Sequence, residues 1–220
     1  MNMSDQPKIV LFQGDSITDG GRPRDKEGLG SSYPHLIAAR ISADLAASAP
    51  HFINRGISGN RVSDMSARWN EDAYALSPDL ISILIGVNDA WRTVRQLPEG
   101  VQDRVARMYD ALLAEIREVP PATRLVLMEP FVLKTEETEP NWEVWQDIMP
   151  RYQQTVRELA ERYQATFVPL QQLLNEACWR SEASFWLYDG VHPTAAGHQL
   201  IADQWLNVIK QSEAVAWFEA

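Results

Sequence analysis

Five short apolar runs, none longer than one strand, are separated by stretches whose apolar residues recur at helical spacing. The runs are Lys8 to Phe12, His51 to Asn54, Leu80 to Ile85, Leu125 to Met128 and Thr166 to Val168. Helical periodicity marks Tyr33 to Ala47, Ser63 to Ala75, Gly100 to Val119, a stretch from Trp142 or Met149 to Tyr163, Leu170 to Trp179 and Ala195 to Lys210. Pro34 suits a first helical turn, Ser63-Asp64 is a plausible cap, and Pro120-Pro121 stops the third helix. Alternation of this kind predicts an α/β chain with a central five-stranded parallel sheet covered on both faces. At 220 residues the chain fits one domain, 1–220, with no internal repeat or low-complexity tract. Lys134 to Asn141, acidic and proline-marked, reads as a surface excursion.

Open parallel sheets bind ligands beyond the carboxyl ends of their strands. Ser16, in Gly14-Asp15-Ser16-Ile17, stands just past the first strand, in a polar loop from Gln13 to Gly30 that holds five glycines. Gly59 falls in the loop after the second strand and Asn88 in the loop after the third. Asp189 and His192 precede the last helix. A serine alone is a poor nucleophile, and an imidazole oriented by a carboxylate activates it. The order Ser16, Asp189, His192 suits a hydrolase on an α/β sheet, although no Gly-x-Ser-x-Gly surrounds the serine. The N–H groups of Ser16 and Gly59 and the side-chain amide of Asn88 are the candidate oxyanion donors. Each motif also has a plainer reading. Gly, Asp and Ser are turn vocabulary, Asn88-Asp89 could be an Asx turn, and Asp189-x-x-His192 could be a structural turn with Asp189 capping the next helix, or a metal pair, though no third ligand sits nearby. Their convergence on one sheet edge is the stronger signal, and it points to a serine esterase.

The blocks Gly14-Asp-Ser-Ile-Thr18, Asn54-Arg-Gly-Ile-Ser-Gly59, Gly86-Val-Asn-Asp89 and Asp189-Gly-Val-His-Pro193 resemble the four blocks of the SGNH hydrolase superfamily, the GDSL esterases. They span residues 8 to 200 in order. Asp19-Gly20-Gly21-Arg22, Asn88-Asp89-Ala90-Trp91-Arg92 and His192-Pro-Thr-Ala-Ala-Gly197-His198 look most similar to bacterial acetylxylan esterases of the intracellular type. The resemblance implies a three-layer α/β/α, flavodoxin-like sandwich that removes acetyl groups from small carbohydrates such as acetylated xylo-oligosaccharides. It implies no metal or other cofactor, and a homo-oligomer. The residue after the serine departs mildly from the family pattern, being Ile17 instead of leucine. Asp15, Trp91, Arg92 and Arg55 are the candidate substrate contacts, with Arg61 near them. Trp91 and Arg92 admit equally a packing role and an ion pair with an acid such as Asp89. The alternative function is a short-chain acyl esterase, lysophospholipase or thioesterase.

A net charge of −10 and a pI near 4.9 exclude a nucleic-acid partner, since a phosphate backbone would be repelled. No charged-then-apolar leader and no long apolar run appear, so no membrane partner and a cytoplasmic location are expected. The one cysteine, Cys178, cannot form an internal disulfide and reads as a small buried apolar residue. His35, His51 and His198 read as structural or surface histidines. Eight tryptophans are many for this length, and six (142, 145, 179, 186, 205 and 217) fall in the C-terminal half. With the apolar stretch Ala214 to Phe218 they suggest a sugar cleft or a subunit interface.

Overall fold

The computed structural model describes residues 8–95, 101–118 and 123–212. In chain order these form β1 (Ile9–Gly14), α1 (Ser16–Asp19), α2 (Tyr33–Leu45), β2 (His51–Asn54), α3 (Val62–Ser66), α4 (Trp69–Asp72), β3 (Leu80–Leu84) and α5 (Val87–Val94). Then come α6 (Val101–Arg117), β4 (Arg124–Met128), α7 (Trp142–Arg162), β5 (Thr166–Val168), α8 (Gln171–Ala177), α9 (Ala183–Trp186) and α10 (Ala195–Gln211). The strands make one sheet in the order β2-β1-β3-β4-β5, parallel at every pairing. That is the doubly wound order with its switch point between β1 and β3.

Burial explains the composition of the strands. All five residues of β3 are buried, as a central parallel strand covered on both faces requires. Helices α2 and α10 pack together on the sheet, while α3, α5, α6 and α7 pack as a second group. The core runs between these layers and includes Trp69, Trp145 and Trp205. The Nε1–H of Trp205 donates to Ser82 Oγ at 3.0 Å, and its ring lies 6.1 Å from that of Phe12. One polar group in the middle of β3 is thereby satisfied from the helix layer.

The five strands and the main helices fall where apolar periodicity places them, with several corrections. Asn88 does not lie in a loop: it sits in the first turn of α5. The stretch expected as one helix from Ser63 splits into α3 and α4, and α3 is capped at Arg61, with Asp64 inside the first turn. Helix α7 starts at Trp142, the earlier of the two expected starts, and runs through Pro150. The excursion after Lys134 is not wholly superficial, because Thr135 and Thr138 are buried. Cys178 is half-buried instead of buried. Met1 to Pro7, Gly100, the Pro120-Pro121 stop and Ala214 to Phe218 with Trp217 lie outside the described residues.

Trp205→Ala is expected to lower unfolding free energy by about 3–5 kcal/mol. Trp205→Phe keeps most of the apolar bulk but loses the bond to Ser82, and should cost about 1–2 kcal/mol. Chemical denaturation of both variants measures the difference.

Candidate active site

The site assembles where β1, β2 and β3 end. Ser16 is the first residue of α1, so its N–H has no acceptor one helical turn back. The side chain of Asp15 caps that turn, accepting from the Ile17 N–H at 3.0 Å. Gly59 has φ +81, and nothing lies within 4 Å of where a Cβ would stand, so its backbone faces open space. Asn88 Nδ2 donates to the Asn60 carbonyl at 3.0 Å, which holds the amide beside Gly59.

The two halves of the chain meet at the serine. Ser16 Oγ lies 2.9 Å from His192 Nε2, and His192 Nδ1 lies 2.6 Å from Asp189 Oδ2. An ionised carboxylate only accepts, so the imidazole carries its proton on Nδ1 and leaves Nε2 free to take one from the hydroxyl. Asp189 Oδ1 accepts in addition from the N–H groups of Val191 and His192. The loop that holds this pair is buttressed by the excursion. The Leu133 N–H donates to the Gly190 carbonyl at 2.9 Å, and a Cβ on Gly190 (φ +84) would stand 2.6 Å from the Leu133 oxygen. Only glycine fits there.

Electrostatics sort the carboxylates. Burial pushes Asp189 upward, but the hydrogen bonds from the His192 ring and the two backbone N–H groups outweigh it and hold the carboxyl below its ordinary range. The bond to Asp189 raises His192 above an ordinary histidine. Burial opposes that rise, and the charges of Asp189 and Asp15 add to it. Asp15 is completely buried, and desolvation pushes it up to about 7. Its Oδ2 has no partner among the described residues. Asp15 therefore stands behind Ser16 rather than in the cleft, and cannot touch a substrate as the sequence suggested. Asp89 is pushed up to about 6 by burial, and accepts from the Val62 N–H at 3.1 Å.

The other expected contacts divide. Arg55 faces Asp72 at 3.5 Å, and Arg61 is clamped by Asp64 through two hydrogen bonds. Arg92 is exposed and makes no ion pair with Asp89. Trp91 is half-buried, with its ring 6.3 Å from His192 and 5.9 Å, edge-on, from Trp145. His198 is held neutral, pushed down to about 4 by burial and then by the charge of His192. Two residues escaped the sequence reading. The Tyr188 ring stacks on His192 at 5.7 Å, and the Arg95 guanidinium lies over Trp91, 5.0 Å from the ring centre. Tyr188 adjoins Asp189 and could have been noticed, whereas Arg95 becomes visible only once α5 is recognised as a helix. Among the described residues no three His, Cys, Asp or Glu side chains are grouped to hold a metal ion, and no helix is long and apolar enough to cross a membrane.

Sheet, switch point and serine–imidazole–carboxylate geometry define an ester hydrolase of the α/β class. The sequence pattern of the GDSL-like Lipase/Acylhydrolase family matches residues 12–200, and the chain belongs to that family of carboxylic ester hydrolases. It is 36% identical over 208 residues to an acetylxylan esterase of Geobacillus stearothermophilus, covering 91% of this chain and 93% of the relative. A crystal structure of a protein from Parabacteroides merdae, described as a GDSL-like lipase, superposes with TM-score 0.87 at 36% identity, over 94% of this chain and 97% of that one. The structure of Axe2, the acetylxylan esterase of Geobacillus stearothermophilus, gives TM-score 0.78 at 33% identity, over 92% and 94%. The resemblance drawn from the four blocks is borne out, as is the three-layer fold.

Asp15→Asn is expected to lower the pKa of His192, because it removes a negative charge that favours the imidazolium. NMR titration of the imidazole in wild type and variant measures the shift, and an unchanged midpoint would remove Asp15 from the electrostatics of the site.

Proposed function

We propose that the protein is a carbohydrate acetylesterase that acts through an acyl-enzyme on Ser16. The observation that carries this reading is the unbroken relay from Ser16 Oγ to His192 to Asp189 at hydrogen-bond distances. Ser16 Oγ attacks the acetyl carbonyl carbon while His192 Nε2 takes the hydroxyl proton. Negative charge gathers on the former carbonyl oxygen, facing the N–H groups of Ser16 and Gly59 and the amide of Asn88. Collapse of the tetrahedral species breaks the bond to the sugar oxygen, which leaves with the proton held by His192. Water then attacks the acetyl-serine by the same proton route, releasing acetate and restoring the serine.

The sugar assignment rests on the acetylxylan esterase relatives and on the open, polar and aromatic cleft beside Asn88. The leading alternative is a short-chain acyl esterase, lysophospholipase or thioesterase, acting on a non-sugar acyl ester. Ser16→Ala should lower acetate release from acetylated xylo-oligosaccharides by about 10⁴-fold or more with the fold intact. Asn88→Ala should lower kcat by about 10²–10³-fold. A Ser16→Ala enzyme that retained wild-type turnover would overturn the mechanism, and turnover of p-nitrophenyl acetate alone would overturn the sugar assignment.

Two finer readings accompany this one. A homo-oligomer is supported by the exposed aromatic side chains between α8 and the His192 loop: Trp179 is 85% exposed, Phe185 50% and Tyr188 58%. Size-exclusion chromatography with light scattering should give a multiple of the 24.9 kDa chain mass, and a particle of that mass would sink it. A reducing, cytoplasmic setting is supported by the unpaired Cys178.

A further inference from the structure

Asn88, Trp91, Arg92 and Arg95 recur at i, i+3, i+4 and i+7, a single stripe along α5 and its C-cap. The opposite stripe, Val87, Ala90 and Val94, is buried in the core. Together with Gly59, the four residues line an open cleft of about 300 Å³ that begins at two of the candidate oxyanion donors. The cleft is therefore open to a group that extends past the two candidate oxyanion donors along this helix.

Two guanidiniums in this cleft are treated differently from the others around the site. Arg22 donates to the Gly56 carbonyl, Arg55 and Arg68 face Asp72, and Arg61 is clamped by Asp64. Arg92 and Arg95 make no hydrogen bond or ion pair among the described residues. Arg92 acts on Asp64 only through space. Arg95 instead rests over the Trp91 ring, and the edge contact with Trp145 supports that ring from the core side. A guanidinium lying on an indole keeps its edge of N–H donors available, pre-organised for a planar anion. The Trp91 face is thus occupied by a cation, which alters the expected role of this ring. It serves less as an open platform for a neutral sugar than as a bed that holds positive charge in the cleft. In a chain of net charge −10, two cations at the mouth of the site that no carboxylate holds at hydrogen-bond distance among the described residues are a local reversal of sign.

We propose that the cleft is an anion subsite that takes a carboxylate-bearing sugar unit of the acetylated substrate, a uronic acid, with Arg92 and Arg95 as the specificity-determining residues. A carboxylate suits a guanidinium edge through two parallel hydrogen bonds, a geometry a hydroxyl cannot supply. Arg92 and Arg95 stand about 6 and 10 Å along the helix axis from Asn88, so the anion sits beyond the acetylated position and does not compete with the oxyanion donors. The inference rests on the reading of the protein as a carbohydrate acetylesterase.

The test compares kcat/KM on four acetyl esters: an acetylated xylo-oligosaccharide bearing a glucuronic acid side group, the same material after carboxyl reduction, an acetylated sugar phosphate, and p-nitrophenyl acetate. Wild type and the Arg92→Gln/Arg95→Gln double variant are assayed at low and high salt. Both side chains are exposed, so the fold should survive, which a thermal melt checks. The expected result is about a tenfold preference for the acidic over the carboxyl-reduced oligosaccharide, carried mainly by KM, smaller at high salt and near unity in the double variant. Equal rates on the acidic and reduced substrates, or a preference that survives in the double variant, overturn the subsite. A phosphate ester turned over faster than the uronate overturns the assignment to a carboxylate. Turnover of both oligosaccharides without preference leaves the acetylesterase reading standing, whereas turnover of p-nitrophenyl acetate alone removes that reading and this inference with it.

Discussion

One buried carboxamide, that of Asn54 at the end of β2, ties together the segments on which the site is built. Its Nδ2 donates to the carbonyls of Thr18 and Leu29 at 2.7 and 2.8 Å, and its Oδ1 accepts from the Gly56 N–H at 2.9 Å. The turn that carries Ser16, the far end of the glycine-rich loop and the start of the Gly59 loop thus share one solvent-free group. Asp19 extends the knot by accepting from both the N–H and the hydroxyl of Ser58. Loops that are mobile in isolation become fixed, because releasing any of them would leave a buried polar group unpaired, at about 1–3 kcal/mol each. Ser16 and the Gly59 loop are positioned relative to each other by this network rather than by the strands alone.

A second layer of control is electrostatic. Three carboxylates in and behind the site behave differently because their surroundings differ. Asp189 is half-buried and surrounded by donors, so it stays ionised and raises the imidazole it orients. Asp15 and Asp89 are buried with few donors, so desolvation pushes both carboxyls up, to about 7 and about 6. The arginines follow the same logic in reverse. Around the site, Arg55, Arg61 and Arg68 face aspartates and Arg22 a backbone carbonyl, whereas Arg92 and Arg95 on the outer stripe of α5 make no such bond among the described residues.

Much of this architecture was legible before any coordinates. Parallel strands buried on both faces read as short apolar runs, and the candidate residues Ser16, Gly59 and Asn88 follow their strands closely, so their shared edge is a consequence of topology. The parts that escaped are those where local pattern misleads. Helix α5 spans only eight residues and opens on Gly86, Val87, Asn88 and Asp89, a sequence that imitates a turn. Overlooking it hid the alignment of Asn88, Trp91, Arg92 and Arg95. The segment after Lys134 looked superficial because its charges are exposed, while the groups that matter, the Leu133 backbone and the two threonines, carry no sequence signal of their own.

The sequence by itself determined the class of fold, the order of its elements and the chemistry available at the strand ends, because periodicity and residue type act over a few neighbours. Tertiary structure alone decided that Ser16 meets His192 across 176 positions of chain, that Asp15 is withdrawn from water, and that Arg95 lies on Trp91. Each of these depends on distance and burial, which are properties of the packed molecule and not of any segment in it.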